Sequence, residues 1–150
     1  MSGIAADEAR TLAQGWAELW NGQLELADKI ISPDFVSHAA PITGGPAADS
    51  EGRDELKQWI GGIHTILDDL RFTIQVGPIA DGDMMSLRWE ANAVNKGVFP
   101  GGDASLAGRP VIFYGTDTLR LDGGLIAEYW ANADSVWFLQ QLGVTGIPAL

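Results

Sequence analysis

Apolar residues in the first part of the chain recur at three- and four-residue spacing: Ala9, Leu12, Ala13, Trp16, Leu19 and Trp20. That spacing makes one stripe on a helix, which Asn21-Gly22 ends. A second short helix is predicted over residues 25–31, stopping at Ser32-Pro33 because a proline restricts the residue before it. Phe35-Val36-Ser37-His38 reads as a short extended piece, and residues 39–52, rich in Ala, Gly and Pro, read as a loop. A third helix starts near Arg53, with Leu56, Trp59, Ile60, Ile63 and Leu67 on one face. Gly61-Gly62 weakens that helix by ~1 kcal/mol per glycine relative to alanine.

After Asp68-Asp69 the period changes to two. Residues 70–79 and 84–94 alternate as strands around a turn at Asp81-Gly82-Asp83. Residues 96–109 form a Gly- and Pro-rich connection. Residues 110–121 and 125–132 then read as a hairpin across Asp122-Gly123-Gly124, and a last helix spans 134 to about 142. Helices followed by an antiparallel meander imply an α+β class, not a doubly wound sheet. A curved sheet around a long helix encloses a pocket. The length of 150 residues is that of one domain, 1–150.

Composition narrows the partners. Twenty acidic residues against nine basic ones give a net charge of −11. Nucleic-acid phosphates and anionic lipid surfaces are therefore not expected partners. The absence of cysteine excludes disulfides, thiolate catalysis and sulfur-based zinc sites. No apolar run approaches the ~20 residues a membrane span needs. The opening MSGIAADEAR has no basic region followed by an apolar run, so no secretory leader is expected and the expected location is cytoplasmic. Six tryptophans must be buried in a core, an interface or a pocket.

Several stretches resemble the SnoaL-like polyketide cyclase family of the NTF2-like superfamily. They are Gly52-Arg53 through Ile60, Asp69-Leu70-Arg71-Phe72, Leu87-Arg88-Trp89, Phe99-Pro100-Gly101, Gly108-Arg109-Pro110-Val111 and Gly115-Thr116-Asp117. The longest run, Asp122-Gly123-Gly124-Leu125-Ile126-Ala127-Glu128-Tyr129-Trp130, is followed by Asp134 and Gln140-Gln141-Leu142-Gly143. The resemblance implies an NTF2-like cone of helices and curved sheet with a central pocket, no metal or organic cofactor, and a homodimer or homotetramer. It implies a small-molecule substrate and an intramolecular aldol ring closure with an acidic residue as acid/base. The family often carries an acid directly after the tryptophan that corresponds to Trp130; here that position is Ala131.

Ring closure needs one positioned carboxylate, since a carbon between two carbonyls is already acidic. Asp134 is the first candidate, because the resemblance places it at the pocket end of the last strand; its competing role is to cap the final helix. Arg88 and Glu90 share one face of a strand, and with Asn132 or Asp134 they resemble the limonene epoxide hydrolase branch, where acids and an arginine activate water. A plain surface ion pair is the competing reading. Were Arg88 and Glu90 to face the pocket, Met85, Leu87 and Trp89 would form an apolar outer face needing a partner subunit.

His38 matches a histidine common near the pocket mouth of the family, and His64 lies among helix apolar residues. Neither has a companion at metal-ligand spacing. Asp117 shares its strand face with Phe113, Gly115 and Leu119, and a carboxylate on such a face must be paired or functional. Trp59, Tyr114 and Trp130 are the expected pocket wall, because flat ligands stack on aromatic rings. Three functions remain open: a cyclase, a hydrolase of epoxides or other small molecules, and a noncatalytic binder of an apolar ligand.

Overall fold

The computed structural model describes residues 3–40, 42, 46 and 48–146. The chain opens with α1 (Ala6–Trp20), whose stripe of Ala9, Leu12, Ala13, Trp16, Leu19 and Trp20 is buried as its spacing requires. A 3-10 turn at Leu24–Leu26 and a one-turn helix α2 (Ala27–Ile30) stand where one short helix was expected. The strand β1 (Ile31–Ser37) then begins before Pro33 and runs through it. Its register slips between Ile31 and Val36, and a proline is tolerated in such an unpaired stretch because no ladder N–H is required there.

The remaining elements are β2 (Ser50–Glu51), α3 (Gly52–Ile66), β3 (Leu67–Asp81), β4 (Met84–Asn95), β5 (Pro110–Asp122), β6 (Leu125–Ala133) and α4 (Ser135–Gln141). Among the described residues the strands form one six-stranded sheet in the order β2-β1-β6-β5-β4-β3. β3 to β6 make the expected antiparallel meander, and β1 adds in parallel to β6. The β5–β6 turn uses Gly123 and Gly124 at φ 59° and 81°, a left-handed pair that closes a hairpin without the Cβ clash other residues would meet.

α1 packs on β3 and α3 on β1, so the helices cover one face of the sheet. Between them lies a core rich in Trp16, Trp20, Phe35, Phe72, Trp89, Phe113, Tyr129 and Phe138. Edge-to-face ring pairs dominate it, for example Trp20 against Trp59 at 5.1 Å and Phe72 against Trp89 at 5.1 Å between centroids. Such pairs add roughly 0.5–1.5 kcal/mol each beyond area burial. No helix among the described residues is long and apolar enough to cross a membrane.

Candidate functional site

Strand alternation decides which side chains reach the space under the helices. On β4 the buried set is Met85, Leu87, Trp89, Ala91, Ala93 and Asn95; on β5 it is Val111, Phe113, Gly115, Asp117, Leu119 and Leu121. Asp117 is therefore a carboxylate on an apolar face, 4% exposed, opposite Leu87 on one neighbouring strand and Ala131 on the other.

Among the described residues Asp117 has only neutral donors. The Trp16 indole N–H donates to its Oδ2 at 2.9 Å, and the Tyr129 hydroxyl donates to its Oδ1 at 3.2 Å. Burial is the larger effect and raises its pKa from the ordinary 3.8 to about 6, although the hydrogen bonds from Trp16, Trp89 and Tyr129 pull it down. Burial, followed by the nearby Asp117 charge, drives the Tyr129 hydroxyl well above its usual range, so it remains a donor. Gly115 makes the arrangement possible. A Cβ there would sit 2.2 Å from Cζ2 of Trp89, so the glycine lets that indole lie across β5 beside Asp117.

Asp117 stands in a cavity of about 160 Å³. Trp20, Trp59, Phe72, Trp89, Phe113 and Tyr129 supply aromatic wall; Ala131, Asn132, Ala133 and Ser135 line it from β6 and the start of α4; Ala40, Ile42 and Ile63 complete it. No Lys, Arg or His lies among these lining residues. The small side chain of Ala131 leaves open the space directly across from Asp117.

The residues singled out in the sequence divide into groups. Trp59, Asp117 and Asn132 line the cavity. Arg88 and Glu90 point to the opposite face of the sheet, which corrects the orientation expected for them. There the Arg88 guanidinium sits 5.1 Å above the Tyr114 ring, and Glu90 accepts from Gln75 at 2.8 Å and Asn92 at 2.7 Å. Tyr114 is accordingly outer surface and not pocket wall. Alternation separates two faces of β4 without saying which is inside, and the larger apolar set of Met85, Leu87 and Trp89 took the core.

Trp130 is also on the outer face, stacked on His38 at 5.2 Å between ring centroids. β6 changes phase near its start: Ile126 and Ala127 are both buried, and the pairing with β5 is irregular between Arg120 and Leu121. The slip turns Tyr129 inward and Trp130 outward.

A carboxylate faces each ring nitrogen of His38, Asp49 Oδ1 at 2.7 Å from Nδ1 and Glu128 Oε2 at 2.6 Å from Nε2, and the protonated ring donates to both. The hydrogen bond to Asp49, then that to Glu128, raises its pKa. Glu128 also accepts from Arg120 Nε at 2.8 Å, and its pKa is lowered by Arg120 first and His38 second.

Asp134 lies at the N-terminus of α4 and is exposed; its side chain neither caps the helix nor lines the cavity. Its backbone is what fits the site, the N–H bonded to Tyr114 O at 2.9 Å. His64 bonds the Trp20 carbonyl at 2.8 Å, tying α3 to α1. Among the described residues no cluster of three or more His, Asp or Glu is arranged to hold a metal ion.

Trp20, Phe72, Trp89, Phe113 and Tyr129 were not expected in the pocket. For two of them the signal was present: Trp20 is on the apolar stripe of α1, and Phe113 shares the β5 face of Asp117. Trp89 and Tyr129 depend on which face of β4 is inside and on the slip in β6, which the pattern does not give.

The family model of the SnoaL-like polyketide cyclases matches residues 10–142. The fold is similar to that of IdmH from Streptomyces antibioticus, to which a polyketide cyclase role is ascribed. The two are 27% identical over 90% of this chain and 98% of that one, at a TM-score of 0.77. A protein of Acidithiobacillus ferrooxidans ascribed the same role is 26% identical over 95% and 97% of the two chains, again at 0.77. A Catenulispora acidiphila protein with a ketosteroid isomerase-like fold, 17% identical over 91% and 95%, has a TM-score of 0.72 and bears on the fold alone. No curated protein matches the chain.

Proposed function

We propose that this chain, which belongs to the SnoaL-like polyketide cyclase family, closes a ring in a polycarbonyl substrate with Asp117 as the acid/base. The observation that carries this reading is a buried carboxylate whose pKa is raised to about 6, standing in an aromatic-walled cavity with no cationic partner among the described residues.

The chemistry follows from that environment. The Asp117 carboxylate takes the proton from a carbon between two carbonyls, and the C–H electron pair becomes the enolate. The enolate carbon attacks a second carbonyl carbon of the same molecule, forming the C–C bond. The proton now on Asp117 goes to the oxygen that carbonyl leaves as alkoxide. Substrate and product have the same atoms, so no oxidant or reductant is consumed. A group with a pKa close to the working pH serves both half-steps better than an ordinary surface aspartate. Trp16 and Tyr129 hold the carboxylate in place while it changes charge.

Cavity size limits what reaches Asp117. A void of about 160 Å³ is close to the ~150 Å³ that admits one benzene ring. The reacting segment is therefore about one ring across, flat and uncharged. The epoxide-hydrolase arrangement has less support, because Arg88 and Glu90 lie on the far side of the sheet from Asn132 and the cavity. For assembly we infer a homodimer or homotetramer, supported by exposed apolar side chains at Ile79, Val136 and Trp137.

The test is turnover of a panel of linear 1,3,5,7-tetracarbonyl compounds, in which C2 attacking the C7 carbonyl closes a six-membered ring, by wild type, Asp117→Asn and Asp134→Asn, with folding checked by circular dichroism. Asp117→Asn is expected to lose roughly 10²- to 10⁴-fold in rate, while Asp134→Asn stays near wild type. A folded Asp117→Asn that keeps full activity would remove Asp117 as the catalyst. Binding by wild type with no turnover of any compound would favour a noncatalytic role for the same cavity.

A further inference from the structure

A second apolar depression lies beside the cavity. It has a volume of about 340 Å³ and is lined by Ile42, Gln58, Trp59, Gly62, Ile63, Ile66, Phe99 and Pro100. Ile42, Trp59 and Ile63 line both spaces, so these side chains are the sill between them. Its lining carries no charged side chain among the described residues, and Gln58 is the one polar member. The inner cavity holds about one ring, less than half the volume of the outer groove.

Gly62 stands out in that lining. Two consecutive glycines inside a 15-residue helix oppose helix formation, yet neither has a positive φ that would require glycine. A Cβ at Gly62 would meet nothing within 4 Å, so packing does not require glycine either. What the missing side chain leaves is free space over the α3 surface, between Trp59 and Ile63 on the cavity side and Ile66 further along.

We propose that the groove along α3 is a second subsite, which receives the distal, uncharged rings of an extended multi-ring substrate while its reacting segment occupies the inner cavity, and that Gly62 determines how long a substrate can be. This rests on the inner cavity being the reacting site. The occupant is apolar because Ile42, Ile63, Ile66, Phe99 and Pro100 offer it no charge to pair. It is flat because Trp59, at the sill, presents a ring to it. It is continuous with the reacting segment because the two spaces share three walls.

The experiment measures dissociation constants of two probes, phenol and 1,8-dihydroxyanthraquinone, by tryptophan fluorescence. It compares wild type, Gly62→Ala, Gly62→Leu, Gly62→Phe and Asp117→Asn, each verified as folded by circular dichroism. Gly62→Phe and Gly62→Leu fill the groove from its floor. Both are expected to weaken the three-ring probe at least about tenfold, the order of one ring denied burial, and to leave phenol within about twofold. Gly62→Ala, which changes helix propensity without bulk, leaves both probes unaffected.

The subsite is overturned if the bulky variants weaken neither probe or weaken both alike, or if the three-ring probe does not bind wild type. The underlying reading fails separately. Phenol binding with the same pH dependence in wild type and Asp117→Asn would mean that the small probe does not meet Asp117, whatever the Gly62 variants do.

Discussion

Two carboxylates on adjacent strands of one sheet behave in opposite ways. Asp117 on β5 faces inward, and its proton affinity is raised; Glu128 on β6 faces outward, and its proton affinity is lowered. Both accept side-chain hydrogen bonds. The difference lies in the donors and the solvent. Glu128 is partly exposed and meets a guanidinium and an imidazole, so its charge is matched. Asp117 is buried and meets indoles and a phenol, which orient it without supplying positive charge. Hydrogen bonds alone do not identify a reactive carboxylate; the charge of the donors and access of water do.

The largest expected effect that sharpens this contrast is on stability against pH. Folded Asp117 keeps its proton up to about pH 6, whereas the unfolded chain releases it near 3.8. Over that interval the folded state binds more protons. Its contribution to stability is therefore highest below pH 4, falls as pH rises towards 6, and is level above, a change on the order of 3 kcal/mol. Asp117→Asn is expected to remove that decline. Urea denaturation of both proteins at pH 4, 5, 6 and 7 measures it. The slope is the readout, because an amide that satisfies Trp16 and Tyr129 less well shifts every point equally. Equal slopes in the two proteins would contradict the burial argument.

A smaller effect is expected on the outer face. Glu128→Gln takes one carboxylate from His38 and the partner from Arg120, at a cost of about 0.2–1 kcal/mol for partly exposed pairs. His38 should then titrate closer to its ordinary 6.5, followed by proton NMR of its ring. The stabilisation it gains from its partners is present below 6.5 and is lost as pH rises through its raised value, so the variant differs from wild type mainly at acid and neutral pH. Phenol binding in the cavity should stay within about twofold. A large loss there would mean that the two carboxylates are coupled through the sheet.

Much of this contrast was legible in the sequence. Period-two alternation put Phe113, Gly115, Asp117 and Leu119 on one face, and a lone carboxylate in that company was already anomalous. The Asp122-Gly123-Gly124 turn fixed the β5–β6 hairpin, so Asp117 could be placed opposite the last strand. Alternation could not say which face of β4 was inside, because Arg88 and Glu90 are separated as regularly as Leu87 and Trp89. It also could not reveal the phase slip after Ile126, which exchanges Tyr129 for Trp130 at the cavity. The slip is an irregularity of pairing between two strands, and one strand's sequence does not show it.

Asp134 was favoured by its place after the last strand, yet the chain turns into α4 there and leaves its side chain in solvent. The family's frequent acid after the tryptophan is Ala131 in this chain, and Ala131 pairs with Asp117 across the ladder. The carboxylate in this pocket is thus one strand over from the position where the resemblance led one to look for it.

The most direct test of the central claim is the titration of Asp117 itself, by carbon-13 NMR of the side-chain carboxyl, assigned by its disappearance in Asp117→Asn. A midpoint near pH 6, well above the ordinary aspartate value of 3.8, is the predicted result. A midpoint at or below the ordinary aspartate value of 3.8 would show that Asp117 is held as a permanent charge, and would contradict its role as the acid/base of this cavity.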